Sequence, residues 1–418
     1  MPGILRVLSL HTIQYFLVVS TISLTPPSSF LRIALLPLVL ACSISILTLI
    51  FPAVNTKVQA AFIATNVNGV LLRYIDLALI SRWSFGARGP TSGAGGHRIV
   101  KAEQNGHGNG NGNGAVSGPA HVDKDESSTS IARRLRWGFV TVAAWRQPGT
   151  PWEARGTPPL PDHETTASRT RFVAQRLTQL VACWLVLGAM GLLPATTAQE
   201  RAETFAWENV AFFARLSEIT AGAVAERIVG TVLFWSATYC ILQIFYCGVG
   251  VIGVATGVTP VRDWPPLFGS VTECFSVRRF WGLFWHQALR QLVGAPATYL
   301  TYSVLKLKRS TLVSRYLGIL LTFAVSGLYH VGEEYASGLP VERSGAMRFY
   351  CTQVFGFVIE DAATALYSRV RREKKAGCWA KVIGFIWTLC WMSWTSPSWF
   401  YPKLVANTGT SKDQALPG

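Results

Sequence analysis

The chain has 418 residues, of which 50% are apolar and only 14% charged, with a formal net charge of +16 and a mean hydropathy of +0.30. Soluble domains carry about 25% charged residues, so this composition argues against a water-soluble protein and for lipid as its solvent. The Lys and Arg residues sit mainly in loops between apolar stretches, which makes membrane topology, not nucleic acid, the reason for the positive charge.

Apolar runs long enough to cross a bilayer as helices, about 20 residues each, lie near 4–24, 31–53, 57–80, 172–194, 227–256, 311–332, 346–367 and 380–400. The expected fold is therefore all-α: a polytopic membrane protein of about eight transmembrane helices. The first run contains His11 and has no small-residue cleavage site after it, so it reads as a first span and not a signal peptide. Residues 1–81 form an N-terminal set of three spans. Residues 82–170 are a long insertion whose Gly/Asn run from Gly106 to Gly118 is expected to be a partly disordered linker over about 88–130, because such a composition cannot bury a core. No strand, helix start or P-loop lysine accompanies that run, so it is not read as a phosphate-cradling loop. Residues 403–418 are expected to be a flexible tail.

A ninth apolar piece, 293–307, is short and runs into Lys306, Lys308 and Arg309; it is re-entrant or interfacial. Basic residues load 82–170, 258–292 and 368–379, while Glu residues balance or outnumber them in 195–226 and 333–345. Positive loops stay on the cytosolic side, which gives a lumenal N-terminus. The eight cysteines, Cys42, Cys183, Cys240, Cys247, Cys274, Cys351, Cys378 and Cys390, include no C-x-x-C pair, and no metal-ligating pattern is expected.

Two segments carry candidate chemistry. In 261–290 a Pro265-Pro266 break is followed by a basic, aromatic stretch with Phe280, Trp281, Phe284 and Trp285 around His286. That stretch suits the membrane interface, and a plain anchoring helix is the competing reading. In Phe323 to Glu334, His330 closes an apolar run that includes Ser326 and Gly327. Ionisable groups at membrane depth are costly and commonly line a working cavity, although a lone histidine at a span's end is often structural. A buried neutral imidazole can take a proton from a hydroxyl that attacks an activated acyl group. No G-x-S-x-G elbow and no H-E-x-x-H occur, which argues against a serine nucleophile and a zinc hydrolase.

The motifs WPPLFGS (Trp264 to Ser270), FWGLFWHQ (Phe280 to Gln287) and SGLYH (Ser326 to His330), in this order, resemble the wax-synthase branch of the membrane-bound O-acyltransferases. WRQPGTPWEA (Trp145 to Ala154) and LLRYIDLALIS (Leu71 to Ser81) resemble segments of the fungal members. The likeness spans about 70 to 400, with residues 171–402 as the acyltransferase core, and departs at 146–149, where Arg-Gln-Pro-Gly stands in place of the family's more frequent Arg-Gly and a small apolar residue. It implies helices around a central tunnel and an acyl-CoA-dependent O-acyltransferase of the endoplasmic reticulum, with acetyl-CoA or another acyl-CoA as co-substrate and no bound cofactor. His330 falls on the family's catalytic histidine and His286 on a second active-site position. Fungal members often acetylate terpenoid or meroterpenoid hydroxyls, and a wax-ester reaction on fatty alcohols is the alternative. The implied partners are the bilayer, acyl-CoA and a small hydrophobic alcohol, with no nucleic acid.

Around the histidines, Trp281, Trp285, Gln287 and Ser326 are candidate substrate contacts. Arg278, Arg279 and Arg290 would attract the CoA phosphates, unless they are ordinary positive-inside residues. Glu360 and Asp361 either line the cavity or mark a cytosolic helix end. A transporter would be expected to show paired halves, and no internal repeat is visible. A non-catalytic scaffold would tolerate replacement of both histidines.

Overall fold

A computed structural model describes residues 2–97, 99, 130–160, 168–194, 197–370 and 378–406. The expectations placed on 101–129 and 407–418 lie outside these residues. The described chain is helical almost throughout; its strand pairing is a two-residue antiparallel ribbon, Trp83–Ser84 with Gly89–Pro90.

Three helices open the fold: α1 (Pro2–Leu24), α2 (Leu36–Ala53) and α3 (Lys57–Tyr74), the last widening into a π-helical stretch, Ile75–Ile80. Then come α4 (Ile131–Ala143), α5 (Arg169–Gly191), α6 (Ala221–Ala255), α7 (Arg290–Tyr299) with a π-helical continuation Leu300–Val304, α8 (Leu312–Ala336), α9 (Ala346–Val370), α10 (Cys378–Thr395) and α11 (Pro397–Val405). Five of these begin on a hydroxyl cap: Thr56 accepts from Gln59 N–H, Ser130 from Arg133 N–H, Ser168 from Arg171 N–H, Thr220 from Ala223 N–H and Thr311 from Ser314 N–H. Such caps satisfy donors that the helix itself cannot.

Among the described residues, six helices are long and apolar enough to cross a membrane: Gly3–Leu24, Leu31–Ala53, Lys57–Ile80, Arg169–Gly191, Ala221–Ala255 and Leu312–Ala336. The two other expected spans, 346–367 and 380–400, are helical but fall short of that measure, so the count is six where eight were expected. Their sequences give the reason. α9 carries Arg348, Glu360, Asp361 and Arg369, and the eighteen residues of Cys378–Thr395 include Lys381 and four tryptophans, which lower its hydropathy. The ninth piece is α7 with its continuation, fifteen residues from 290 to 304, about 22 Å of helix, short of the roughly 30 Å hydrocarbon core. It packs against α8 and α3.

α3 and α8 approach closely because small residues meet polar ones. A Cβ on Gly332 would come within 2.7 Å of the Asn68 amide, which itself donates to the Tyr329 carbonyl at 3.0 Å. Tyr329 in turn donates its hydroxyl to the Thr65 carbonyl at 2.7 Å. Small residues and interhelical hydrogen bonds are the usual devices for joining helices within lipid.

The largest core is aromatic: Trp235, Phe268, Phe280, Trp285, Phe349, Tyr350, Trp391 and Trp399 share one buried cluster. Trp235 meets Trp285 edge to face at 4.6 Å, an arrangement that adds about 0.5–1.5 kcal/mol beyond burial. This cluster forms the floor on which both histidines stand.

Candidate active site

His286 is placed by a broken segment, not by a continuous anchoring helix. The three-residue helix Val277–Arg279 starts against Glu360, whose carboxylate accepts the Val277 and Arg278 N–H groups. It widens into the π-helical stretch Phe280–Phe284 and stops at Trp285, whose backbone is extended (φ −65°, ψ 147°). Wide turns of this kind recur at functional sites. Gly269 donates its N–H to the Phe284 carbonyl at 2.8 Å, tying the Pro265-Pro266 loop beneath the same break. Gln287 holds the turn together: its amide donates to the Trp281 and Trp285 carbonyls and its Oε1 accepts from Arg290 at 2.8 Å.

Arg146 docks the remaining side of this loop. Buried to 5% exposure, it donates to the Pro266 and Pro265 carbonyls at 2.6 and 2.8 Å and to the Tyr246 hydroxyl. Its neighbour Trp145 reaches the cavity over Gly69, where a Cβ would lie 2.4 Å from the indole. Gln147 follows in the left-handed region at φ 47°, a conformation glycine adopts freely and other residues at a cost of about 1–2 kcal/mol. That is the position where the sequence departs from the Arg-Gly it resembles.

His330 comes from the last turns of α8. Its Nδ1 meets Glu333 Oε2 at 2.7 Å, one turn along the same helix, leaving Nε2 as the ring nitrogen free for chemistry. Tyr350 stacks on the imidazole at 4.8 Å with 3° between planes, and Trp399 abuts it at 5.0 Å. The ring therefore has a fixed plane and a fixed charge partner.

The two histidines border one cavity of about 400 Å³, together with Trp145, Trp285, Tyr350 and Trp399. Elsewhere its wall is largely apolar, with Phe62, Ile241, Leu242 and Phe245. In the lining, Glu334 is held by the Trp399 indole, the Ser344 hydroxyl and Lys403 at 3.1 Å. His286 lies outside the six long helices. Burial first, then the neighbouring His330 and Arg146, push its pKa down to about 3, so it is a neutral imidazole. Its Nδ1 is enclosed and has no hydrogen-bond partner among the described residues.

The other predicted site residues divide. Trp285 borders the cavity. Trp281 packs behind it, donating to Gln353 at 3.1 Å, and Ser326 lies beside Tyr350. Arg278, Arg279, Arg290, Glu360 and Asp361 do not line the cavity. Arg278 pairs with Asp361 at 2.8 Å, Arg279 with Glu273, and Arg290 with Gln287 and the Gly282 carbonyl. Glu360 serves as a cap for the Val277 turn and accepts from Trp387 at 2.9 Å.

A family model described as the membrane bound O-acyl transferase family matches residues 264–352, the stretch that contains both histidines. Acetyltransferase aurG of Calcarisporium arbuscula is 38% identical over 392 residues, covering 93% of this chain and 91% of its own. The chain belongs to the membrane-bound O-acyltransferase family. Acetyltransferase fsoF of Humicola fuscoatra is 31% identical, covering 85% of this chain and 86% of its own length. The O-Mevalon transferase yanI of Aspergillus niger is 28% identical, with 97% and 86% covered. No solved structure matches.

The structure also brings to this cavity residues that sequence reasoning passed over. Glu333 stands three residues after His330, the spacing that places side chains on one helix face, and that spacing was the available signal. Tyr350, Trp399 and Lys403 are distant in sequence and left no such signal.

Proposed function

We propose that the enzyme transfers an acetyl group from acetyl-CoA to a hydroxyl of a terpenoid or meroterpenoid alcohol, at the endoplasmic reticulum membrane. The observation that carries this reading is His330, backed by Glu333 and facing the same cavity as a neutral His286. His330 Nε2 takes the proton as the alcohol oxygen attacks the thioester carbonyl. The tetrahedral adduct then expels the CoA sulfur, which recovers the proton from the imidazolium. Glu333 stabilises that imidazolium and fixes the tautomer, as a carboxylate does in serine-hydrolase triads. His286, in the tautomer that donates toward the cavity, stabilises the developing oxyanion. The names of two of the relatives, both acetyltransferases, support the donor; the third is named an O-Mevalon transferase.

Microsomes carrying His330→Ala are expected to lose acyl transfer by roughly 10²–10⁴-fold, and Glu333→Gln to lose less but at least about tenfold. Wild-type rate in His330→Ala removes that residue from its role. The rival reading, a long acyl chain passed to a fatty alcohol, draws on the apolar wall of Phe62, Ile241, Leu242 and Phe245. Offering acetyl-CoA and palmitoyl-CoA to the same membranes separates the two, and a dominant palmitoyl product would establish the rival.

A further inference from the structure

A second cleft, of about 450 Å³, opens at the turn between the continuation of α7 and the start of α8. It is lined by Arg309 and Arg315 with the hydroxyls of Thr298, Ser310, Thr311 and Thr322. No acidic side chain borders it. From Cys274 to Gly332 the sequence contains seven Lys and Arg residues and no Asp or Glu. The carboxylate that approaches from α9, Asp361, is divided between Arg315 at 3.0 Å, Arg278 at 2.8 Å and the Tyr316 hydroxyl at 2.8 Å. Among the described residues no carboxylate pairs with Arg309, whose guanidinium rests on the Tyr302 ring at 4.1 Å. One carboxylate thus faces two guanidinium groups, Arg309 has none, and that remaining charge lies in the cleft beside Thr298 and Ser310.

Planar guanidinium groups with several donors suit phosphate oxygens, and the start of the 25-residue helix α8 adds the positive end of its dipole. The arginines that the sequence offered for phosphate, Arg278, Arg279 and Arg290, are engaged elsewhere, whereas Arg309 has its donors free. We propose that this cleft is a phosphate-binding site, seating either the nucleotide phosphates of the acyl donor or an anionic phospholipid headgroup. The donor arm of the proposal rests on the acyl-CoA reading above. Arg315 lies fifteen residues before His330 on α8, about 22 Å along the axis, so the donor arm places the phosphates at the opposite end of this helix from the imidazole. The lipid arm needs only that this basic helix end meets the headgroup layer.

The test uses the full chain purified in detergent, with Arg309→Gln and Arg309→Lys beside it; Arg309 is exposed, so neither change disturbs the core. Titration calorimetry with adenosine 3′,5′-bisphosphate is expected to show binding that weakens about tenfold in Arg309→Gln and partly returns in Arg309→Lys. In turnover, the KM for acetyl-CoA rises in Arg309→Gln while that for acetyl-pantetheine, which lacks the nucleotide, stays put. If the bisphosphate does not bind, native mass spectrometry from nanodiscs of phosphatidylcholine with phosphatidylserine reads the other source: phosphatidylserine adducts that Arg309→Gln loses support a lipid headgroup. Absence of both Arg309-dependent signals overturns the cleft. Bisphosphate binding through Arg309 in a chain that transfers no acyl group would sink the acyl-CoA reading and leave the cleft standing.

Discussion

His286 and His330 share a cavity but have different surroundings. His330 has a carboxylate on its Nδ1; His286 has burial, a second imidazole and a buried guanidinium around it, which repel a proton. A stability consequence follows for His286. Its folded pKa of about 3 lies below the 6.5 of an unfolded imidazole. Below pH 6.5 the unfolded chain takes up a proton that the folded chain refuses, so folding stability is full above that value and declines as pH falls toward 3. The decline from this group is at most about 1.4 kcal/mol per pH unit. Thermal unfolding in detergent between pH 7.5 and 4.5 is expected to fall more steeply for the native protein than for His286→Gln. Equal slopes would refute the buried, neutral state.

The elements that hold the histidines are mostly interrupted helices. α8 is an ordinary capped span, legible from its apolar run and from Thr311 before it. The segment that carries His286 was legible as special, through Pro265-Pro266 and the aromatic density, but not as a break at Trp285, because a π-helical stretch has no composition of its own. Gly269 shows how tightly that break is built: a Cβ there would sit 2.0 Å from the Leu283 carbonyl oxygen, whereas at Gly282, within the π-helical stretch itself, a Cβ would meet nothing within 4 Å. Gly269→Ala is therefore expected to destabilise by about 1–3 kcal/mol and to cut turnover by moving His286, while Gly282→Ala leaves both nearly unchanged. Unfolding temperatures and kcat of the two variants check this contrast. The dyad of His330 and Glu333 could be read from helical spacing, but the stacking of Tyr350 and the Trp399 edge depend on α9 and α11 folding back, which no local pattern encodes.

At the scale of the molecule, composition was decisive for class and weak for count. Half the residues being apolar announces a membrane protein, and the six long helices follow from runs visible by eye. α9 and α10, where two further spans were expected, serve two demands: α9 carries Glu360 and Asp361, and both supply aromatic packing behind the cavity. The positive charge that first read as topology also has a local meaning at the α7–α8 turn, which only the fold could reveal by showing which arginines are already paired.

Three of the fifteen tryptophans, Trp145, Trp285 and Trp399, border the cavity that both histidines line. Indole emission reports the polarity of its surroundings, so the protein carries an intrinsic optical probe of occupancy. Titrating an acceptor alcohol into the detergent-solubilised enzyme should shift or quench that emission, and His330→Ala should retain the response while losing the reaction. Candidate acceptors could then be ranked by fluorescence before any product is known.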